Sequence, residues 1–236
     1  SIGPERSLFF TLPGGAKKKV KSDFAVFALG GASRPETGSD GSWVVPFSEA
    51  GVKTVPFRPA NCGFSVSWSP LFAEKGAGKP LKNIKITHNG KSSSAEVLIT
   101  GYGIEGGGIY ELSASLRDEA EKKGKAVVSV DLLPDMGPEE VRKRFEKTRK
   151  TDSISNRLRK GLNIKGVKYL LLRELARPSG NSTKGKKPHP GTGRQEAGNA
   201  EAACFFSESI VKNPETVKNL KLAVESPRPI EEAISS

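Results

Sequence analysis

Cysteine is nearly absent: Cys62 and Cys204 stand far apart and outside any C-x-x-C. That arrangement offers neither a disulfide framework nor a zinc site. Histidine is as scarce, with only His88, in what reads as a hairpin turn, and His189, in a polar stretch. No nucleophile, base and orienting group share a motif, and no cluster of His, Cys and carboxylate has metal-ligand spacing. Long apolar runs are missing too. None approaches the roughly 20 residues that a membrane-spanning helix needs, and no basic-then-apolar segment opens the chain as a secretion signal would. The chain therefore reads as intracellular and cytoplasmic, without a membrane span, and Asn181-Ser182-Thr183 reads as an accidental glycosylation sequon.

What is plentiful is glycine, basic charge and phenylalanine. With 236 residues, 35% of them hydrophobic and 11 of them Phe, the chain is long enough for one large domain or two small ones with real cores. Lys and Arg number 38 against 26 acids, a net charge of +12, which suits nucleic acid, membrane phosphate or an anionic cofactor. Much of the excess falls between Val141 and Lys168, where Arg142, Lys143, Arg144, Lys147, Arg149, Lys150, Arg157, Arg159, Lys160, Lys165 and Lys168 face only Glu146 and Asp152.

The chain is organised around Phe24 to Gly41. Phe24 to Leu29 is an unbroken apolar run between Asp23 and Gly30, the pattern of a strand buried on both faces inside an α/β sheet. Gly30 and Gly31 follow at its carboxyl end, where the backbone can approach a ligand and where open α/β sheets bind one. The loop beyond supplies Ser33, Thr37, Ser39 and Asp40, with Gly38 and Gly41 free to take positive φ. The stretch reads either as one wall of a cofactor site or as a tight turn with solvated hydroxyls.

Around it the chain alternates in character. Ser7 to Leu12, Pro13-Gly14-Gly15 and Lys17 to Lys21 predict a hairpin, and Trp43, Val44 and Phe47 predict a short helix ending at Gly51. Phe64, Val66 and Trp68 alternate as a strand. Ile84 and Ile86 lead into His88-Asn89-Gly90-Lys91, a hairpin signal, with Val97 and Ile99 as the returning strand. Gly101 to Gly106 forms a formal G-x-G-x-x-G after that strand, followed by a helical run, the strand Ala126 to Val130 and then Asp131. That is the order of a dinucleotide site, but Glu105 would place a negative charge in the phosphate turn.

Asp135 to Lys168 reads as helical and basic, with Pro138 opening a first helix and Asp152 or Ser153 capping a second, and Gly166 to Arg177 predicts a third, more apolar helix. Basic helices in series invite a nucleic-acid reading, which the lack of interleaved aromatics disfavours. Residues 178 to 205 are low-complexity and predict a mobile loop without chemistry. Pro214-Glu215 opens a short helix and Lys221 to Glu225 a strand.

Several motifs resemble a family of NAD(P)/FAD-dependent flavoproteins that includes the aminoacetone oxidase and bile-acid flavin reductase types. The resemblance rests on Leu29-Gly30-Gly31-Ala32-Ser33 with Pro35 and Thr37 to Gly41, then Phe57 to Phe64, Pro80 to Asn83, Gly106-Gly107 with Ile109-Tyr110 and Asp131 to Asp135. It continues through Ser153 to Asn156 with Leu158-Arg159-Lys160, and Arg228-Pro229 with Glu232 to Ser236.

It implies part of a flavin-binding α/β domain carrying an inserted antiparallel, barrel-like β subdomain and a small helical one, within the mixed α+β and α/β classes. The expected division is 1–51 for the partial FAD-binding domain, 52–110 for the β insert, 111–177 for the helical subdomain, 178–205 for the loop and 206–236 for the return. FAD would be lined by Gly30, Gly31, Ser33, Thr37, Gly38, Ser39, Asp40 and Gly41, with Gly103, Glu105, Gly106 and Gly107 as a cleft-facing loop and NAD(P) as a further cofactor. No catalytic residue is assigned, because the isoalloxazine itself carries the redox chemistry.

The family's opening G-x-G-x-x-G and its closing glycine-rich segment have no counterpart here. The chain therefore reads as an internal portion of an FAD-dependent, NAD(P)H-linked oxidoreductase, inactive by itself and partnered by the remaining segments of that protein. The small-molecule substrate is not legible. The other reading is a non-enzymatic basic module binding nucleic acid or anionic surfaces.

Overall fold

The computed structural model describes residues 2–3, 7–176 and 209–236. The low-complexity stretch 178–205, with His189 and Cys204, lies outside the described residues. Two compact units form, Ser1–Cys62 with Arg228–Ser236, and Gly63–Pro227.

The first unit opens with a three-stranded antiparallel sheet, β1 (Ile2–Gly3), β2 (Ser7–Thr11) and β3 (Lys17–Lys21). The β2–β3 hairpin turns at Gly14 and Gly15, whose φ values of 94° and 85° only glycine takes cheaply. A short helix, α1 (Val44–Glu49), follows where apolar spacing places it. The chain's two passages through this unit are joined by an antiparallel bridge, in which Ala60 N–H donates to Ser235 O at 2.8 Å and Ser235 N–H returns the bond at 3.1 Å.

One expectation fails here. Phe24 to Leu29 form no strand, and Phe24 and Val26 are 88% and 92% exposed. Burial on both faces needs pairing strands and a covering layer, and no described residue hydrogen-bonds to this run. The unit has scarcely any core: among its described residues only Ser7, Gly41, Cys62 and Ala233 are buried.

The second unit holds the core. Its first strands and helices are β4 (Phe64–Ser65), α2 (Pro70–Gly76), β5 (Pro80–Leu81), β6 (Lys85–His88), β7 (Lys91–Ser93), β8 (Val97–Ile99) and β9 (Gly103–Glu105). Then come α3 (Gly107–Tyr110), α4 (Ser113–Lys123), β10 (Ala126–Asp131), α5 (Pro138–Glu146), α6 (Ile154–Leu162), α7 (Gly166–Leu175) and β11 (Leu220–Val224). The strands make two four-stranded sheets, β11-β10-β6-β7 and β4-β9-β8-β5. Every strand pairing among the described residues is antiparallel. The unit is thus α+β, antiparallel sheets with helices around them.

Alternation decides which side of each strand is buried. Ala126, Val128 and Val130 of β10 and Leu220, Leu222 and Val224 of β11 are buried, while Val127 and Lys221 face outward. Leu116 and Ala120 supply the buried face of α4, which packs on β10 and ends at Gly124 in a left-handed cap with φ 77°.

The two sheets are joined through β4. Phe64 pairs with Ile104 of β9 on one side and bridges Pro227 on the other. Ser65 N–H donates to Ser226 O at 2.8 Å and Glu225 N–H to Ser65 O at 2.9 Å, so the chain leaving β11 runs directly beside β4. The sheet continues around a corner in a barrel-like way, and both ends of the unit emerge together. Gly108 reinforces the junction: a Cβ there would sit 3.0 Å from Val97 and 3.3 Å from Ile86, residues of different sheets.

Several sequence expectations need correction at this level. The Asn89-Gly90 turn returns as β7, whereas Val97 and Ile99 lie in the other sheet. Phe64, Val66 and Trp68 do not make one long strand, because β4 stops at Ser65 and Pro70 opens α2. The strand near Lys221 completes the second unit's sheet instead of returning to the first unit.

The G-x-G-x-x-G reading also fails. Thr100 N–H donates to Gly103 O at 2.9 Å and Gly103 N–H to Thr100 O at 3.3 Å, so Gly101 and Tyr102 form the tight turn of the β8–β9 hairpin. A dinucleotide site needs its glycines to lead from a parallel strand into a helix, and here Gly101 and Gly103 lie within an antiparallel hairpin.

The helices are tied down by polar side chains. Glu174 of α7 accepts from Ser69 N–H at 2.7 Å and Ser69 Oγ at 2.8 Å, anchoring α7 at the start of α2. Lys168, held below the usual lysine range by burial, donates to Asn83 O at 2.8 Å and Leu132 O at 2.7 Å. The α5–α6 link consists of two turns, Thr148 N–H to Phe145 O and Asp152 N–H to Arg149 O. Ser153 caps α6 by accepting from Asn156 N–H. No helix among the described residues is long and apolar enough to cross a membrane.

Gly103 carries a direct test. A Cβ at that position would lie 2.0 Å from Phe64 O, a backbone atom that cannot move aside. Gly103→Ala is expected to destabilise the chain by about 3 kcal/mol, read as a lowered urea midpoint; an unchanged midpoint would show that the β4–β9 approach is not needed.

Candidate functional site

The loop from Ala28 to Ser39 surrounds an open depression of about 460 Å³ in the first unit, lined by Ala28, Leu29, Gly30, Gly31, Ser33, Arg34, Thr37, Gly38, Ser39 and Ile234. The loop is held in place by its own hydrogen bonds. Arg34 adopts a left-handed conformation, with φ 53° and ψ 60°, and starts a 3-10 turn over Pro35–Thr37 that ends at Gly38 with φ 112°. Thr37 Oγ1 donates to Arg34 O at 2.8 Å, and Ser39 Oγ donates to Gly31 O at 2.6 Å.

An aromatic cluster supports the loop from below. Trp43 Nε1 donates to Gly30 O at 3.0 Å, and the Trp43 ring meets Phe47 and Phe57 edge-on at 5.4 and 5.7 Å. Phe27 meets Phe47 at 4.9 Å. Such pairs contribute about 0.5–1.5 kcal/mol each beyond their burial. Gly41 closes the loop onto the cluster, where its Cβ would lie 2.8 Å from Ala32 Cβ and 3.0 Å from the Phe57 ring.

The structure therefore divides the residues singled out from the sequence. Gly30, Gly31, Ser33, Thr37, Gly38 and Ser39 gather around the depression. Asp40 and Gly41 do not line it and act as loop supports: Asp40 Oδ1 accepts from Ser42 N–H at 3.0 Å. The Ser42 side chain, followed by its N–H, holds the Asp40 carboxyl below the usual carboxylate range.

Gly30 and Gly31 are covered on their Cβ sides by Ser39, at 2.9 Å, and by Ser236 Oγ, at 2.5 Å. Gly30 is nonetheless exposed and Gly31 half-buried. The N–H groups of Gly30, Gly31 and Ser33 have no partner among the described residues, whereas Ala32 N–H donates to Ser236 Oγ at 2.9 Å. The lining of the depression thus includes residues with unpartnered backbone donors, the hydroxyl-bearing Ser33, Thr37 and Ser39, and Arg34, which pairs with Glu36 at 3.8 Å.

Sequence reasoning missed Arg34, Trp43, Ile234 and Ser236 as parts of this arrangement. The last two come from the far end of the chain, which is fastened by the Ala60–Ser235 bridge and by Arg34 N–H donating to Glu231 O at 3.4 Å. Arg228 and Glu232 form a bidentate pair at 2.9 and 2.8 Å, with Glu232 held below its usual range by Arg228.

The four residues read as a cleft-facing loop lie in the second unit. Gly103 is buried and packed on Phe64 O, Glu105 accepts from the Tyr102 hydroxyl, and Gly106 and Gly107 lead into α3. His88 is buried and structural. Its Nδ1 faces Val127 O at 3.0 Å, and Asn89 Nδ2 donates both to His88 Nε2 at 3.1 Å and to Glu119 Oε2 at 3.0 Å.

Fold and site define an α+β protein in which a barrel-like antiparallel unit with a two-turn helix pair accompanies a loop unit bearing a glycine-lined depression. The family model described as "HI0933-like protein barrel and H2TH domain" matches residues 58–188, more than half of the chain. The chain belongs to the HI0933-like family, and the flavoprotein resemblance carried by its motifs is borne out at the level of family.

Among curated proteins it is 27% identical over 130 residues to the 3-dehydro-bile acid delta(4,6)-reductase of Clostridium scindens, a match covering 54% of this chain and 32% of that protein. The chain thus spans about a third of the length of that relative.

Gly41 tests the loop. Its φ of 74° and the closeness of Ala32 and Phe57 leave no room for a side chain. Gly41→Ala should destabilise the first unit by about 1–3 kcal/mol. With Trp68 replaced by Phe, the Trp43 emission would report this as an earlier transition than in the parent; coincident transitions would show the loop to be indifferent to that position.

Proposed function

We propose that this chain is part of an FAD-dependent oxidoreductase reduced by NAD(P)H, contributing the loop that lines the flavin and the barrel-and-helix unit on the substrate side. Family membership and the likeness to a reductase support this reading. The observation that carries it is the glycine-lined depression with unpartnered N–H groups at Gly30, Gly31 and Ser33.

The residues present fit a portion of FAD. A depression of about 460 Å³ suits one ring system or polar chain, since whole-ligand sites run to roughly 1,000 Å³. Gly30, Gly31 and Ser33 would donate from the backbone to flavin acceptors, Ser33, Thr37 and Ser39 would offer hydroxyls, and Arg34 a positive charge. Bound flavin supplies hydride and electron transfer. The chain's own residues bind it, fix its orientation through the Trp43-supported loop, and screen one side from water.

The exposed apolar run Phe24 to Leu29 supports a further part of the proposal. Phe24 and Val26, at 88% and 92% exposure, are covered in the working protein by other polypeptide of the flavin-binding domain, which supplies the pairing strands. The expected division into a partial FAD-binding domain, a β insert and a helical subdomain belongs to the same proposal. The substrate is a small molecule.

Purification of the longest product of the gene that encodes this chain tests the reading. It should be yellow, with a flavin absorption band that bleaches on adding NADH or NADPH. Gly31→Val would collide with Ser236 Oγ, the acceptor of Ala32 N–H, and should strip most of the flavin by shifting the loop that lines the depression. A colourless parent, or a valine variant that keeps its full flavin, would reject the assignment.

A further inference from the structure

The two-turn link between α5 and α6 forms a second depression, of about 580 Å³, whose lining includes Arg144, Lys147, Thr148, Arg149, Asp152 and Lys160. Four cations thus face one carboxylate across a concave surface. Two of the cations are already neutralised. Arg144 pairs with Glu140 at 2.5 Å, and Lys160 with Asp152 at 2.8 Å. Lys147 and Arg149 are exposed and make no ion pair among the described residues, Arg149 acting on Asp152 only at longer range.

A fifth cation stands behind Thr148. Arg157 is 7% exposed and stacks on the Phe145 ring at 4.1 Å. Its Nε donates to Thr148 Oγ1 at 2.8 Å and its Nη2 to Phe145 O at 3.4 Å, so its hydrogen-bond partners are neutral and it makes no ion pair among the described residues. A buried guanidinium without a hydrogen-bonded counter-ion is costly unless something compensates it, and its bond to Thr148, a lining residue, sets its positive charge next to the depression, where it also acts on Asp152.

We propose that this depression binds a small phosphate-bearing ligand, with Lys147 and Arg149 as its direct contacts. The chemistry fits: unneutralised cations at a concave site bind phosphate oxygens through charge-assisted hydrogen bonds, and a guanidinium does so through two parallel donors. A small ligand is favoured over single-stranded nucleic acid because no aromatic ring lines the depression, the Phe145 ring being covered by Arg157, so bases have nothing to stack on. The site stands in the second unit and does not depend on the flavin reading.

Calorimetric titration of the full chain with inorganic pyrophosphate at low ionic strength tests this, with chloride at matched ionic strength as the reference. Lys147→Gln with Arg149→Gln should weaken binding about tenfold or more. The exposed pair Lys143→Gln with Lys150→Gln removes the same charge outside the depression and should leave binding unchanged. Binding no better than that of chloride, or equal losses in the two double variants, overturns the proposal. Salt-sensitive binding of a short DNA duplex that pyrophosphate does not displace would overturn it in favour of a polymer-binding surface.

Discussion

Close backbone contact at β4 is the constraint on which the second unit depends. Phe64 and Ser65 are hydrogen-bonded to β9 on one side and to the chain leaving β11 on the other, and Gly103 is the residue whose missing side chain lets β9 approach. Remove that approach and the two sheets lose the strand that joins them. The same contact brings residues 63–65 and 225–227 together, so the first and last residues of the unit lie side by side. The Ala60–Ser235 bridge does the matching work in the first unit.

The two units differ in how far they complete themselves. Gly63–Pro227 buries Phe64, Phe145 and an alternating set of Ile, Leu and Val side chains, and fastens its helices with Glu174, Lys168 and Arg157. The first unit buries almost nothing large, yet holds its loop in a defined shape through the Trp43 cluster and hydroxyl-to-carbonyl bonds. The loop holds a defined shape beside an apolar run whose Phe24 and Val26 are exposed. That contrast gives the flavin proposal its physical content.

Basic charge has three different uses in this chain. Arg142, Arg144 and Lys160 pair with acids, Lys168 and Arg157 serve the interior, and Lys147 and Arg149 remain unneutralised beside a concavity. Net charge alone does not separate these roles, because each depends on what the fold sets opposite the cation.

Local signals in the sequence were sufficient wherever the physics is local. Hairpin turns at Gly14-Gly15 and Asn89-Gly90, the Ser153 cap, Pro138 at a helix start and the alternation of β10 all follow from φ preferences or side-chain period, and all stand where the residues place them. The glycine-rich loop was legible for the same reason. Only tertiary structure decided which sheet Val97 joins, that Gly103 serves packing and not a phosphate turn, that Phe24 to Leu29 pairs with no strand among the described residues, and that Ile234 and Ser236 meet the loop. Those outcomes depend on contacts between residues far apart in the chain, and neither propensity nor spacing encodes which distant neighbour a strand or a glycine will meet.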